Sequence, residues 1–209
     1  MLMASGIAAA SVITLNATVR DFEASHPNFQ NQCQPSCGVY TGLVGSTLGS
    51  DRKPVHVGGT TLTNATDFNQ WYNDVSGVNQ TFTTSLTATE TSPGTGIDTY
   101  SNSSYFPING QGFNSGFFCN NFHFTTEINS QFTYALGQSF SFIGDDDVWV
   151  FINDQLVVDL SGVHSSASGS VDIDKLSSIK RVLVSIIFSI NVVKNFESDI
   201  DQHIRDRDA

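Results

Sequence analysis

The sequence predicts an all-β protein: a mostly antiparallel β-sandwich with one short helix packed on it. Three observations support this fold class. Short runs of β-branched and aromatic residues recur along the chain with turn residues between them, as in sandwiches and barrels. Only one stretch has a convincing helical pattern. The 209 residues, 39% hydrophobic with 16 Phe, are enough for one domain with a sizeable core.

Charged residues are few in this chain, and most of them are acidic. Charged residues make up 14% of the sequence, against about a quarter in ordinary globular proteins. The formal net charge is −11, and no basic patch is present to bind a phosphate backbone, so nucleic acid is excluded as a partner. A negative net charge of this size is compatible with binding a cation or a neutral sugar. No run reaches the ~18 apolar residues of a membrane span, so the chain is not expected to cross a membrane.

The first ten residues are small or apolar and carry no charge. They form a candidate signal peptide, residues 1–10. A first strand is predicted at Ser11–Val19 as well. We assign residues 11–196 to the sandwich domain and residues 197–209 to a polar tail. A surface rich in Ser, Thr, Asn and Gln is typical of extracellular β-proteins, and we therefore expect a secreted protein.

Cysteine and asparagine patterns agree with secretion. The spacing of Cys33, Cys37 and Cys119 is typical of neither a redox motif nor a zinc site. In an oxidising compartment the simplest expectation is one disulfide bond and one free thiol. The sequence does not determine which two cysteines pair. Four Asn-X-Ser/Thr sequons would permit N-glycosylation: Asn16, Asn64, Asn79 and Asn102.

The helix is predicted to start near Asn64 and to close at Gly77. Its apolar residues recur at helical spacing, with Phe68, Trp71, Tyr72 and Val75 on one face. Alternating segments predict strands at Ser11–Val19, Gln80–Glu90, Phe122–Ile128 and Gln131–Tyr134, with one short strand between residues 38 and 44.

The segment Ser141–Leu160 predicts two strands joined by a tight turn at Asn153-Asp154, since both residues tolerate positive φ. Counting from that turn places Val148 opposite Asp159. It also makes Asp146 and Asp159 diagonal neighbours across the hairpin. Both faces of the hairpin are apolar in mid-strand, which predicts a hairpin buried on both sides and central in the fold.

Three consecutive aspartates, Asp145–Asp147, stand at the open end of this hairpin. On a regular strand their side chains would alternate and could not share one ion. The preceding Gly144 indicates an irregular backbone, and a kink or a cis peptide would turn neighbouring carboxylates to one side. Calcium takes six to eight oxygen ligands, so Ca²⁺ is the candidate cofactor. The alternative is that the aspartates only cap the strand and solvate a loop.

The segments Gly144–Asn153, Leu156–Leu160 and Gly162–His164 resemble the signature of the fibro-slime domain. That domain occurs in the secreted prespore-cell-inducing factors of cellular slime moulds, and it is grouped with the protective-antigen-type (PA-fourteen) β-sandwiches. The resemblance covers roughly residues 12–174. The sequence departs from the family pattern at Asp154 and Ser161, where a Gly is usual, and at Asn109, where an Asp is common. The stretch from Ile187 to Phe196 also lacks the usual polar residues.

The resemblance implies an extracellular sandwich. In sugar-binding relatives, two adjacent aspartates joined by a cis peptide hold a calcium ion that contacts sugar hydroxyls. The matching positions here are Asp145 and Asp146, which we assign as metal ligands. The candidate ligand-binding residues are Asp145, Asp146, Asp147, Asp159 and His164.

These observations lead to one main functional hypothesis. The chain is expected to be a secreted, non-catalytic module that recognises a carbohydrate or a cell-surface glycoprotein with the help of Ca²⁺. The alternative is a secreted developmental factor, an inducer of cell differentiation that a protein receptor recognises. An enzyme is disfavoured, because glycosidase carboxylates stand apart across a cleft and are not adjacent in sequence. No catalytic residue is assigned.

Overall fold

The computed structural model describes residues 12–29, 37–58, 63–113, 120–134, 136–176, 181–190 and 200–201. Over these ranges the chain forms ten strands, one α-helix (α1) and two short 3-10 turns. The strands are β1 (Val12–Phe22), β2 (Asn79–Glu90), β3 (Ile97–Thr99), β4 (Phe124–Thr133), β5 (Ser139–Gly144), β6 (Val148–Ile152), β7 (Gln155–Leu160), β8 (Ala167–Asp172), β9 (Arg181–Ile190) and β10 (Ile200–Asp201), and α1 is Ala65–Tyr72.

The strands form two sheets. The large sheet has eight strands in the order β10-β3-β2-β1-β4-β9-β6-β7, and β5 and β8 form a two-stranded second sheet. The pairings within these two sheets are antiparallel. The predicted fold class, a mostly antiparallel sandwich with one short helix packed on it, is confirmed.

Each face of the large sheet buries its own hydrophobic cluster. On one face, β5 and β8 cover a core that includes Val19, Phe142 and Val150. On the other face, α1 and the segment 43–48 cover Trp149 and Phe151. The alternation of side chains along β6 therefore sends successive residues into two different cores.

The helix α1 starts as the sequence predicts and ends earlier. The side chain of Asn64 caps it by accepting hydrogen bonds from the backbone N–H groups of Thr66 and Asp67, at 2.9 and 3.0 Å. The next residue after Tyr72, Asn73, has extended backbone, so Val75 lies outside the helix. Its N–H is bound instead by the side chain of Asn79.

The turn of the β6–β7 hairpin is confirmed, but the predicted register is correct only next to it. Asn153 and Asp154 have φ of 49° and 65°, and Ile152 pairs with Gln155. A β-bulge then shifts the pairing between Val150 and Phe151. One extra residue in β7 moves every later side chain to the other face.

The bulge overturns two predictions about the aspartates. Val148 lies opposite Leu160, and Asp159 lies opposite Trp149. The predicted pairing of Val148 with Asp159 is wrong for that reason. Asp146 precedes the first residue of β6, so Asp146 and Asp159 are not diagonal neighbours in the hairpin.

Burial on both sides of β6 is confirmed, since all five of its residues are buried. The central position is wrong for β7, which ends the strand order of the large sheet. The segment before α1 covers that edge: Thr47 forms a bridge with Gln155, and the N–H of Leu156 donates to the carbonyl of Ser46 at 2.9 Å.

Three further elements differ from the predictions. The two strands predicted between Phe122 and Tyr134 are one continuous strand, β4. The predicted strand near residues 38–44 consists of isolated bridges at Tyr40 and Val44. The strand β8 was not predicted. Within the described ranges, no helix combines the length and hydropathy needed to cross a bilayer.

Candidate functional site

The candidate site lies where the chain passes twice between the two sheets. Asp145–Asp147 connects β5 of the small sheet to β6 of the large sheet, and the segment from Ser161 to His164 returns from β7 towards β8. Backbone and side-chain hydrogen bonds join the two connections. We call these two segments together the acidic corner.

The three aspartates of the acidic corner are buried. The exposed fractions of Asp145, Asp146 and Asp147 are 9%, 4% and 6%. Asp146 has a φ of 62°, in the left-handed region that few non-glycine residues adopt. The irregular backbone expected beside Gly144 is therefore present, as a left-handed residue between two strands. Strain of this kind is a reason to suspect a functional site.

Backbone N–H groups of the returning segment hold two of these carboxylates. The N–H of Gly162 donates to Oδ1 of Asp147 at 2.6 Å. The N–H of His164 donates to Oδ1 of Asp146 at 3.2 Å, and the N–H of Asp146 donates to the carbonyl of His164 at 3.4 Å. The Gly-Val-His motif thus positions the aspartate triplet through its main chain.

Gly162 is required at its position for two reasons. Its φ is 100°, and a Cβ placed there would stand 2.6 Å from the carbonyl oxygen of Gly38. The backbone of residues 38–40 runs alongside, with the N–H of Gly38 bound to Val163 at 2.8 Å and that of Tyr40 bound to Ser161 at 2.7 Å. A third segment therefore packs tightly against the acidic corner.

The structure places Asp159 in a network of its own. Its Oδ1 accepts hydrogen bonds from Nε1 of Trp149 at 3.0 Å and from Oγ of Ser161 at 2.5 Å. Its Oδ2 accepts from the N–H of Gly42 at 2.7 Å. The hydroxyl of Ser161, which stands where a Gly is usual in the family resemblance, completes this network.

His164, another predicted ligand-binding residue, is buried with its ring between two carbonyl groups. Its Nε2 lies 3.1 Å from the carbonyl of Leu160, and its Nδ1 lies 2.7 Å from that of Ser165. Through its backbone it also binds Asp146. The structure therefore brings Asp146, Asp147 and His164 together by hydrogen bonds and gives Asp159 different partners.

The residues fit a calcium ion only in part. Among the described residues, no three His, Cys, Asp or Glu side chains converge in a metal-binding arrangement. One buried polar atom nearby still needs a partner: the hydroxyl of Tyr72 has no hydrogen-bond partner in the described part of the chain. Burial, and next the negative charge of Asp147, raise the pKa of Tyr72 well above its ordinary value. A water or ligand oxygen would satisfy such a hydroxyl.

The cysteines and the sequon asparagines lie in different parts of the chain, and two of the cysteines fall outside the described ranges. Cys37 is disulfide-bonded, while Cys33 and Cys119 lie outside the described residues. Among the sequons, Asn16 and Asn64 are exposed and Asn102 is half-buried. Asn79 is engaged between α1 and β2, because its Nδ2 donates to the carbonyls of Gln70 and Asn73, both at 2.8 Å.

The sequence did not identify two contributors to this region. The segment 38–42 carries no motif, and only its glycines hint at a close backbone approach. Tyr72 was predicted to be a core residue of the helix, and its ring does pack with Trp149, with ring centroids 6.5 Å apart. Its position near Asp147 depends on how α1 lies on the sheet, which no local pattern encodes.

Comparison with known proteins finds relatives in a slime mould. No family model matches the chain. Three proteins of Dictyostelium discoideum match 79% of it: protein psiR at 41% identity, protein psiQ at 39% and protein psiC at 35%. The chain spans 18% of the length of psiR and of psiQ, and 36% of psiC.

Among solved structures, the crystal structure of the PA14 domain of the MpAFP antifreeze protein was matched. The match covers 93% of this chain and 86% of that one, with 10% sequence identity and a TM-score of 0.36. The sequence relatives agree with the slime-mould resemblance that the motifs indicated.

Proposed function

The chain is a relative of the Dictyostelium psi proteins over about four fifths of its length, and we propose that it is a secreted, non-catalytic binding module. In this proposal it recognises a carbohydrate or a cell-surface glycoconjugate with the help of a calcium ion at the acidic corner. Asp145 and Asp146 provide the carboxylate ligands. The chain spans a minor part of its relatives, so the proposal concerns this domain alone.

One observation carries the proposal: three consecutive carboxylates are buried at a strained junction between the sheets. Removing carboxylates from water is costly unless something compensates their charge. Backbone N–H groups of His164 and Gly162 bind Asp146 and Asp147. A divalent cation bound beside Asp145 and Asp146 would add to the compensation of their charge.

A calcium ion at this position would need more than carboxylates. Since calcium takes six to eight oxygens, backbone carbonyls, water and two ligand hydroxyls would complete its sphere beside Asp145 and Asp146. The buried hydroxyl of Tyr72 can bind a water or a ligand oxygen. Vicinal sugar hydroxyls are suited to such an incomplete sphere, which is why a saccharide is the proposed ligand.

A developmental factor read by a protein receptor is the second candidate. The relationship to the psi proteins favours it, because the chain resembles the prespore-cell-inducing factors in the motifs quoted above. In that case the acidic corner would stabilise the surface that the receptor contacts. Neither candidate function requires a catalytic residue. A glycosidase would need two carboxylates about 5–9.5 Å apart across a cleft, and aspartates adjacent in sequence do not predict such a separation.

A glycan array probed with and without EGTA distinguishes the two candidates. The wild-type chain should retain specific glycans only with calcium, and the double variant Asp145→Ala plus Asp146→Ala should retain none. The control, Glu23→Ala plus Asp172→Ala, removes two exposed carboxylates elsewhere and should bind normally. If wild-type and double variant both fail to retain glycans but differ in inducing prespore cells, the receptor hypothesis replaces the carbohydrate one.

A further inference from the structure

A second concave site lies on the large sheet, away from the acidic corner. It is a groove of about 580 Å³ that crosses β2, β1 and β4. Ala17 and Thr84 contribute to its floor. All the other lining residues have polar side chains that can form hydrogen bonds, and we call this set the polar groove: Asn16, Thr18, Thr83, Ser85, Glu127 and Asn129.

The register of the sheet explains why these side chains share one face. Thr18 of β1 lies between Thr83 of β2 and Glu127 of β4, and Asn16 pairs with Ser85 in the next row. Neighbouring strands are about 4.8 Å apart. The groove is therefore a regular grid of hydroxyl, amide and carboxylate groups. The residues between them, such as Leu15, point into the core on the opposite face.

A network of ion pairs closes one end of the groove and cancels its charge. Glu127, only 5% exposed, is bound by Nη1 of Arg20 at 3.0 Å and by Nζ of Lys53 at 2.6 Å. Arg20 also pairs with Asp74 at 2.8 Å. Two positive and two negative groups thus balance. A charged ligand would gain little here, whereas a neutral ligand rich in hydrogen-bonding groups would be complementary to the lining.

We propose that the polar groove binds a neutral saccharide without calcium. Its volume is within the range of about 300–1,000 Å³ that is typical of ligand sites. An antiparallel sheet can leave one polar face open to water, and the open groove on this face also has the buried carboxylate of Glu127 at its wall. Hydroxyl and amide groups at regular spacing match the donors and acceptors around a sugar ring. This site is independent of the function proposed for the acidic corner.

The saccharide can come from two sources. One source is a free or cell-surface oligosaccharide. The other is a glycan attached to the chain itself, because Asn16 begins the sequon Asn16-Ala17-Thr18 and is exposed inside the groove. A sugar on its Nδ2 would extend over the neighbouring strands. Both sources present the same chemistry to Thr83 and Ser85.

The first arm of the test uses the chain made without glycosylation. Chitotetraose, cellotetraose and α-mannotetraose are titrated in EGTA, and backbone amide shifts are followed by NMR. At least one sugar should shift the amides of Thr83, Ser85 and Asn129. The double variant Thr83→Ala plus Ser85→Ala should bind about tenfold or more weakly, since two hydrogen bonds are lost. The control Thr87→Ala, exposed further along the same strand, should bind normally.

The second arm uses the chain secreted from a eukaryotic host. If its own glycan fills the groove, contacts between the Asn16-linked sugar and the side chains of Thr83 and Ser85 should appear in nuclear Overhauser spectra. The variant Asn16→Gln should then lose those contacts and regain binding of added sugar. The proposal is overturned if neither arm shows sugar in the groove. Binding that requires calcium and disappears in the variant Asp145→Ala plus Asp146→Ala would also overturn it and would support the acidic corner instead.

Discussion

The indole Nε1 of Trp149 donates a 3.0 Å hydrogen bond to Oδ1 of Asp159, the residue directly opposite it in the hairpin. Trp149 is buried beneath α1, and Asp159 also binds Ser161 and the N–H of Gly42. This carboxylate therefore joins β6, β7 and the segment that packs against the acidic corner. The structure gives Asp159 this connecting position, and its predicted role in ligand binding stays a prediction.

Replacing Asp159 with Ala should lower the free energy of unfolding by about 1–3 kcal/mol, because the N–H of Gly42 and the hydroxyl of Ser161 lose their acceptor. The indole of Trp149 keeps Oγ of Ser161 as an acceptor at 2.9 Å. Asp159→Asn is the matched control: its Oδ1 still accepts from Trp149 and Ser161, and only the hydrogen bond from the N–H of Gly42 is lost, so the loss of stability should be smaller. Urea denaturation measures both. An Asp159→Ala variant as stable as the wild type would show that the network contributes nothing to the fold.

Gly162→Ala should lower the free energy of unfolding by more than the cost of placing an alanine in the left-handed region. A left-handed φ costs a non-glycine residue about 1–2 kcal/mol, and Gly77→Ala measures that contribution, since φ is 78° there and the space around it is open. At Gly162 the new Cβ would also meet the carbonyl of Gly38 at 2.6 Å. Chemical denaturation of both variants gives the comparison, and equal losses would contradict the tight approach.

Two aspartates should titrate on opposite sides of their ordinary pKa of 3.8. Burial raises the pKa of Asp21, although hydrogen bonds from Asn121 and Phe113 oppose the shift. The hydrogen bond from Thr81, and also Arg20, lower the pKa of Asp74. The raised pKa means that Asp21 contributes stability below pH 3.8, which is lost as pH rises through its folded-state pKa. Asp74 contributes stability above pH 3.8, which is lost as pH falls through its own lowered value.

Carbon-detected NMR titration of the two side-chain carboxyl groups measures these values directly. The midpoint of Asp21 should lie above 3.8 and that of Asp74 below it. The variant Thr81→Ala should move the midpoint of Asp74 upward and leave Asp21 unchanged. Midpoints in the reverse order would contradict the burial of Asp21 beside Asn121.

Of the four sequons, Asn79 should stay unmodified in a chain secreted from a eukaryotic host. Both hydrogens of its Nδ2 are donated, to the carbonyls of Gln70 and Asn73, and its Oδ1 accepts the N–H of Val75. A sugar on that nitrogen would break the connection between α1 and β2. Peptide mass spectrometry after enzymatic deglycosylation should detect modification at exposed Asn16 and none at Asn79. A fully modified Asn79 in a chain of normal stability would contradict this.

Local patterns were sufficient for much of the fold. Positive φ at Asn153 and Asp154 was predicted from the residue types, and so was the alternation that sends Val150 and Trp149 to opposite cores. The bulge in β7 was not predictable, because Val157 is as apolar as its neighbours and nothing in the sequence shows that it lacks a partner. A shift of one residue was enough to put Asp159 on the face of Trp149.

The acidic corner was found from its motif, but its geometry depends on contacts distant in sequence. The left-handed φ of Asp146 agrees with the kink that Gly144 indicated. The two connections of the acidic corner must pack together before Gly162 and His164 can donate their N–H groups to the aspartates. The close approach of Gly38 depends on the same packing. The polar groove was missed for a similar reason: its residues alternate as in any solvated strand, and only the sheet brings β1, β2 and β4 side by side.

The central claim, that the acidic corner holds calcium, is tested most directly by unfolding the chain in calcium and in EGTA. At free calcium about 100-fold above the dissociation constant, the wild type should gain about 2.7 kcal/mol. The variant Asp145→Asn plus Asp146→Asn keeps the side-chain shapes, removes the charges, and should gain nothing from calcium. Identical unfolding of the wild type in calcium and EGTA, or an equal gain in the variant, would contradict a calcium site at these aspartates.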